Sequence, residues 1–138
     1  GGLDLKNELA GHARNLGYAV CDKGTFTHDS CDYPDYAFAV AEAVAHDQDS
    51  RGIAICTTGE GASMCANKVN GIRASLCMNV DQAIMTRRHN DANVLVLGAK
   101  YISTNEARDI FNAWIAEPYE GGRHDRRLEK IRAYERKG

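Results

Sequence analysis

At 138 residues the chain is the length of one domain, and a composition 43% hydrophobic and 26% charged excludes a mainly disordered polypeptide. Seventeen Lys and Arg against nineteen Asp and Glu give a formal charge of −2, which excludes a generally basic, nucleic-acid-coating surface. No apolar run is long enough to span a bilayer and no basic-then-apolar leader opens the chain, so no membrane partner is expected and the cytosol is the expected location.

Leu5, Leu9, Ala13 and Leu16 recur near helical spacing between Asp4 and Asn15, with Gly17 as a stop, and predict an opening helix. Tyr18–Cys21 reads as a short strand, Gly24–Ser30 as loop, and Asp32-Tyr33-Pro34-Asp35 as a helix start continued by Ala37–Ala45. Gly52-Ile53-Ala54-Ile55-Cys56 is the compact apolar run of a strand buried on both faces. Beyond the turn Thr57–Gly61, a helix is expected over Ala62–Lys68, a strand over Arg73–Cys77 and a helix over Asp81–Arg88. A strand over Asn93–Leu97, closed by Gly98, follows. Ala107, Ile110, Phe111, Trp114 and Ile115 form an amphipathic helical stripe.

Alternating strands and helices imply an α/β fold: a Rossmann-like, doubly wound parallel sheet in three αβα layers, with ligands beyond the carboxyl ends of the strands. Such a domain normally opens on a strand. Here a helix begins almost at residue 1, so either the sequence starts late or the sheet lacks its first strand. Residues 1–117 read as the α/β core of a single domain spanning 1–138. A breaker-rich loop then leads to a charged helix over about Arg123–Lys137, whose thin apolar face of Leu128, Ile131 and Tyr134 suits a neighbouring subunit.

The chemistry-bearing residues gather at three places. Cys56 ends a buried strand and Thr57-Thr58-Gly59-Glu60-Gly61 hands over to a helix, so backbone N–H groups point at whatever lies above the sheet edge. A thiol beside a helix N-terminus carries a larger thiolate fraction, the setting for a base or nucleophile. The turn is neither a phosphate-binding Walker loop nor a complete dinucleotide fingerprint. The other thiols, Cys21, Cys31, Cys65 and Cys77, form no Cys-x-x-Cys with it or with each other, and five cysteines in all argue against a disulfide framework or a zinc knuckle. His89-Asn90-Asp91 is placed in a loop after a helix. Arg123, His124, Arg126 and Arg127 form a dense basic cluster in which Arg123 and Arg127, four apart, share a helix face suited to gripping one phosphate. The alternative is a solvated charge run paired with Asp125 and Glu129.

Asp32-Tyr33-Pro34, the Cys56–Gly61 turn, Ala66-Asn67-Lys68, Gly71-Ile72-Arg73, His89-Asn90-Asp91-Ala92-Asn93-Val94 and Glu120-Gly121-Gly122-Arg123-His124 stand in the order and spacing of one family. The chain resembles the type B ribose-5-phosphate isomerases, grouped with the subunits of galactose-6-phosphate isomerase, over nearly its whole length. The resemblance implies aldose–ketose isomerisation of a phosphorylated sugar, ribose 5-phosphate to ribulose 5-phosphate, through a cis-enediolate, as in the pentose phosphate pathway. It also implies no metal or organic cofactor, and a homodimer, possibly pairing into tetramers, with active sites at the subunit interface.

Carried over by position, Cys56 matches the base between C1 and C2, Thr58 a hydroxyl assisting proton transfer, and His89 the ring-opening residue. The amides of Gly59, Glu60 and Gly61 with Asn90 match the enediolate hole, Tyr33 a substrate contact, and Arg123 and Arg127, beside His124, phosphate ligands partly lent across the dimer. Thr57 stands where a glycine is common, Glu60 sets a carboxylate beside the hole, and Lys100 stands where many members carry an arginine. The family's Asp-His pair at the end of the first strand would precede Gly1. Some members use a glutamate base where this chain has Ala62, which favours the cysteine mechanism. An isomerase for a six-carbon phosphate such as allose or galactose 6-phosphate, and a non-catalytic sugar-phosphate-binding paralogue, stay open as alternatives.

Overall fold

The structure, a computed structural model, describes residues 2–24 and 33–138. In chain order it consists of α1 (Leu3–Asn15), α2 (Tyr33–Ala45), β1 (Gly52–Cys56), α3 (Glu60–Ala66), β2 (Ala74–Leu76), α4 (Val80–Asn90), β3 (Val94–Gly98), α5 (Thr104–Ala116) and α6 (His124–Glu135). Cys31, Asp32 and all of the expected Gly24–Ser30 loop but Gly24 lie outside the described residues.

The three strands form a parallel sheet in the order β1-β3-β2, with Gly52 opposite Val94, Cys56 opposite Gly98 and Leu76 opposite Val96. The central strand explains the unbroken apolar run. Successive side chains of a strand face opposite ways. Leu95 and Leu97 therefore enter a core with α1, α4 and α5, built on Leu5, Leu9, Ala83, Phe111 and Trp114, while Val94 and Val96 enter a second core with α2 and α3. Helices thus cover both faces, giving the expected three-layer α/β architecture.

Local chemistry sets the helix ends. Ser103 and Glu106 close a reciprocal capping box on α5, and Asn79 accepts the Gln82 N–H at the start of α4. Gly59, at φ +84°, opens α3 two residues earlier than the sequence suggested, so Glu60 and Gly61 belong to its first turn.

Other expectations are corrected. Residues 18–21 form no ladder with any described strand. Val20 packs, partly buried, on the α1/α5 core and Tyr18, itself exposed, lies edge-on to Phe111 at 6.4 Å; a short apolar run forms a strand only where an adjacent edge is open to pair with it. Leu16 caps α1 and is exposed rather than part of its buried stripe. On α6 only Leu128 of the apolar face is buried within the chain; Ile131 and, at 74% exposure, Tyr134 are open. Among the described residues, no helix is long and apolar enough to cross a membrane.

Candidate active site

Two clusters emerge, one at each rim of the sheet. At the carboxyl rim, β1 ends in half-buried Cys56 and the chain turns tightly against the exit of β3. The Ala99 N–H donates to the Cys56 carbonyl and the Lys100 N–H to that of Thr57, each at 2.9 Å. The approach is so close that a Cβ on Gly98 would fall 2.4 Å from the Thr58 carbonyl oxygen. Held this way, the turn aims the Gly59 N–H at the Cys56 sulfur, 3.2 Å away, and the Glu60 N–H at Thr58 Oγ1 at 3.4 Å.

Tyr33, first residue of α2, lays its ring over the first turn of α3: a Cβ on Gly61 would meet Tyr33 Oη at 2.7 Å. Cys56, Thr58, Gly59, Glu60, Gly61 and Tyr33 therefore gather at one rim, the thiol meeting the Gly59 N–H, the Thr58 hydroxyl meeting the Glu60 N–H and the Tyr33 phenol lying on Gly61. The Glu60 residue is exposed, as the like-charge argument at an anion hole requires. Lys100 is exposed at the same rim, its Nζ 5.9 Å from the Tyr101 ring.

The remaining predicted residues lie at the other rim. After β2, α4 runs back against the strand direction, so His89 and Asn90 close that helix beside the start of β3 rather than standing in a loop. Helical order continues to Asp91, a left-handed cap at φ +46°; Asn and Asp adopt this conformation more readily than most residues, and the sequence pattern stopped short of it. Five residues of β3 separate the rims, about 13 Å along the strand. Within one chain the structure therefore does not bring His89, Asn90, Arg123, His124 and Arg127 to Cys56.

Here His89 stacks on His124, with ring centroids 4.4 Å apart and an interplanar angle of 21°, and His89 Nε2 lies 3.9 Å from a Glu120 carboxylate oxygen. His124 is 6% exposed, and its Nε2 has no hydrogen-bond partner among the described residues. Burial, then the neighbouring His89 and Arg123, hold its imidazole below the ordinary histidine range. Asn90 is exposed, and its carbonyl accepts from Arg73 Nε at 2.9 Å.

Arg123 and Arg127 are exposed one turn apart, Arg127 Nη1 donating to the Arg123 carbonyl at 3.1 Å. The carboxylates that could have neutralised them are engaged elsewhere, Asp125 with the Tyr119 hydroxyl at 2.8 Å and Glu129 with Arg136 at 2.8 Å. That leaves Arg123, Arg126 and Arg127 exposed and without an ion pair among the described residues.

His89, Glu120 and His124 offer ligand atoms within 4.8 Å of one another. The two rings lie nearly parallel, so their lone pairs run side by side rather than converging on one ion as a tetrahedral zinc site needs.

A family model described as Ribose/Galactose Isomerase matches residues 1–131. The chain belongs to the ribose/galactose isomerase family. Among its relatives is ribose-5-phosphate isomerase B of Escherichia coli strain K12, 45% identical over 136 residues that cover 99% of this chain and 91% of that protein. Among solved structures, ribose-5-phosphate isomerase B of Clostridium thermocellum matches at a TM-score of 0.96 and 48% identity, covering 99% of this chain and 93% of that one. The Mycoplasma genitalium enzyme, solved with bound ribulose-5-phosphate, matches at 0.97 and 40% identity over 99% and 91%. As a ribose/galactose isomerase, the chain is a sugar-phosphate aldose–ketose isomerase.

Several residues around this site carry no assigned role in the sequence pattern. Arg87 and Arg73 brace the end of α4, and Glu120 touches His89. For Arg87 the available signal was its i,i+4 spacing to Asp91.

Proposed function

We propose that the protein interconverts ribose 5-phosphate and ribulose 5-phosphate in the cytoplasm as a homodimer, with Cys56 as the base and each active site completed by the His89 rim of a second copy. One observation carries this reading: among the described residues the thiol rim carries Cys56, backbone N–H groups, Glu60 and Lys100, while Arg123 and Arg127, exposed and without an ion pair among those residues, stand at the other rim.

The chemistry balances with these groups. His89 shuttles the proton that opens the furanose. The Cys56 thiolate removes the C2 proton; the C–H electron pair becomes the C1=C2 bond and the aldehyde oxygen takes the negative charge. The amides of Gly59, Glu60 and Gly61 with Asn90 stabilise that enediolate, Thr58 moves a proton between O2 and O1, and the Cys56 thiol returns its proton to C1. Arg123 and Arg127, beside His124, grip the phosphate, and Tyr33 contacts the sugar. A placed base contributes about 10²–10⁴-fold and an oxyanion donor about 2.7–4 kcal/mol.

Cys56→Ala is expected to lose about 10²–10⁴-fold in kcat while still binding the sugar phosphate. Mixing Cys56→Ala and His89→Ala chains should restore roughly a quarter of the sites, since a symmetric mixed dimer carries one intact site of two. Unchanged turnover in Cys56→Ala would remove the thiol from the mechanism, and failure of mixing to restore activity would remove the shared site. Comparison of kcat/KM on ribose 5-phosphate with allose and galactose 6-phosphates decides the sugar; binding without turnover on any of them would favour a non-catalytic paralogue.

A further inference from the structure

We infer that Arg87 is the positioning residue of the His89 rim, a buried guanidinium that sets the distance between the end of α4 and the segment carrying Glu120, Arg123 and His124. This rests on the reading that those groups act on the substrate. Arg87 is 3% exposed. Its Nη1 donates to the Asp91 carboxylate at 2.9 Å and to the Ala92 carbonyl at 2.7 Å, both in the turn that ends α4. Its Nε donates to the Glu117 carbonyl at 3.1 Å, where α5 gives way to the loop before α6.

The same two segments are tied twice more, by the Arg88–Glu117 ion pair at 2.6 Å and by the Glu120 N–H donating to the Arg88 carbonyl at 3.0 Å. Those two ties are exposed or made by backbone; Arg87 is the buried one. His89 follows Arg87 by two residues, and His124 follows Glu117 by seven. The 4.4 Å ring stack is therefore the direct product of how far apart this fork holds the two segments.

A buried cation spends desolvation energy that a well-packed methionine or leucine would not, so packing alone does not explain an arginine at this place. A planar fork meeting a carboxylate and two carbonyls in fixed directions does; a lysine could satisfy one direction at a time. Arg87 is buried and its fork is taken up by Asp91, Ala92 and Glu117, so it acts through His89, Glu120 and His124 rather than on the sugar.

The test compares Arg87→Met and Arg87→Lys with Arg51→Met. Arg51 also donates to carbonyls, those of Trp114 and Ile115, and although its charge is felt by Arg87 and Asp91 it makes no hydrogen bond to the end of α4, so it reports the cost of losing an arginine that does not fix that end by hydrogen bonds. Steady-state kinetics on ribose 5-phosphate are measured well below each variant's melting temperature, beside the imidazole ring-proton NMR shifts of His89 and His124. Arg87→Met is expected to lose on the order of 10²-fold in kcat/KM, as a displacement near 1 Å does. Arg87→Lys should lose less, and in both Arg87 variants the ring shifts move as the stack opens. Arg51→Met should lower the melting temperature and leave kinetics and ring shifts at parental values.

Parental kcat/KM in Arg87→Met, or a loss no larger than its unfolded fraction, would overturn the inference, as would unmoved ring shifts. Should Arg87→Met fail to fold, Arg87→Lys carries the same comparison. If the parent itself does not turn over the sugar, the functional reading fails, while the ring shifts still decide whether Arg87 sets the geometry.

Discussion

Gly98 is where a single methyl group separates fold from chemistry. It pairs with Cys56 across the sheet, and the turn carrying Thr58 and Gly59 folds back over it. In Gly98→Ala the new Cβ would sit 2.4 Å from the Thr58 carbonyl oxygen and 2.7 Å from its carbon, both backbone atoms with no rotamer to escape into. Reaching ordinary contact at 3.4 Å requires the turn to lift by about 1.0 Å. The Gly59 and Glu60 N–H groups, directed at the Cys56 sulfur and Thr58 Oγ1, ride on that turn. Overpacking of this kind destabilises by about 1–3 kcal/mol, and misplacing catalytic groups by near 1 Å costs on the order of 10²-fold in rate. Urea unfolding gives the first quantity and kcat/KM on ribose 5-phosphate the second. A variant with parental stability and parental kcat/KM would refute the claim that this backbone contact fixes the thiol rim; a stability loss with intact kcat/KM would show that the turn relaxes without disturbing its donors.

Two further outcomes follow from the structure. His124 is held below its ordinary pKa of 6.5, so in the unfolded chain it binds a proton that the folded chain refuses. Its contribution is fully present above that value and declines as pH falls through it. The drop in melting temperature between about pH 7.5 and pH 5.5 should accordingly be smaller in His124→Gln than in the parent; equal drops would show that His124 is not the group responsible. In the interior of α1, a Cβ on Gly11 meets nothing within 4 Å, so Gly11→Ala should raise urea stability by about 0.5–1 kcal/mol without touching kinetics.

Much of the fold was legible because burial leaves a plain trace. The β3 run lies one residue from its expected bounds, and of the Ala107–Ile115 stripe the structure buries all but Ile115, on a helix that begins three residues before it. Cys56 was legible for the same reason: it ends an apolar run and begins a glycine-rich turn. Tyr18–Cys21 misled because a side chain such as Val20 can pack against a helix layer without its backbone joining a ladder. The division of the site was the least accessible feature. Chain order places His89 after Cys56 but is silent on the direction of α4, and that direction sends His89 to the far rim. Arg87 was hidden for a different reason, since a buried fork bonded to backbone carbonyls looks, letter by letter, like any surface arginine.

The shortness of β3 has one more consequence. Its five residues act as a ruler whose gradations are side-chain faces. Adding or deleting a single residue would exchange the leucine face for the valine face, emptying one core and crowding the other, besides changing the span between the strand's two ends. Length variation in this protein should accordingly be confined to its loops, leaving the ruler uncut.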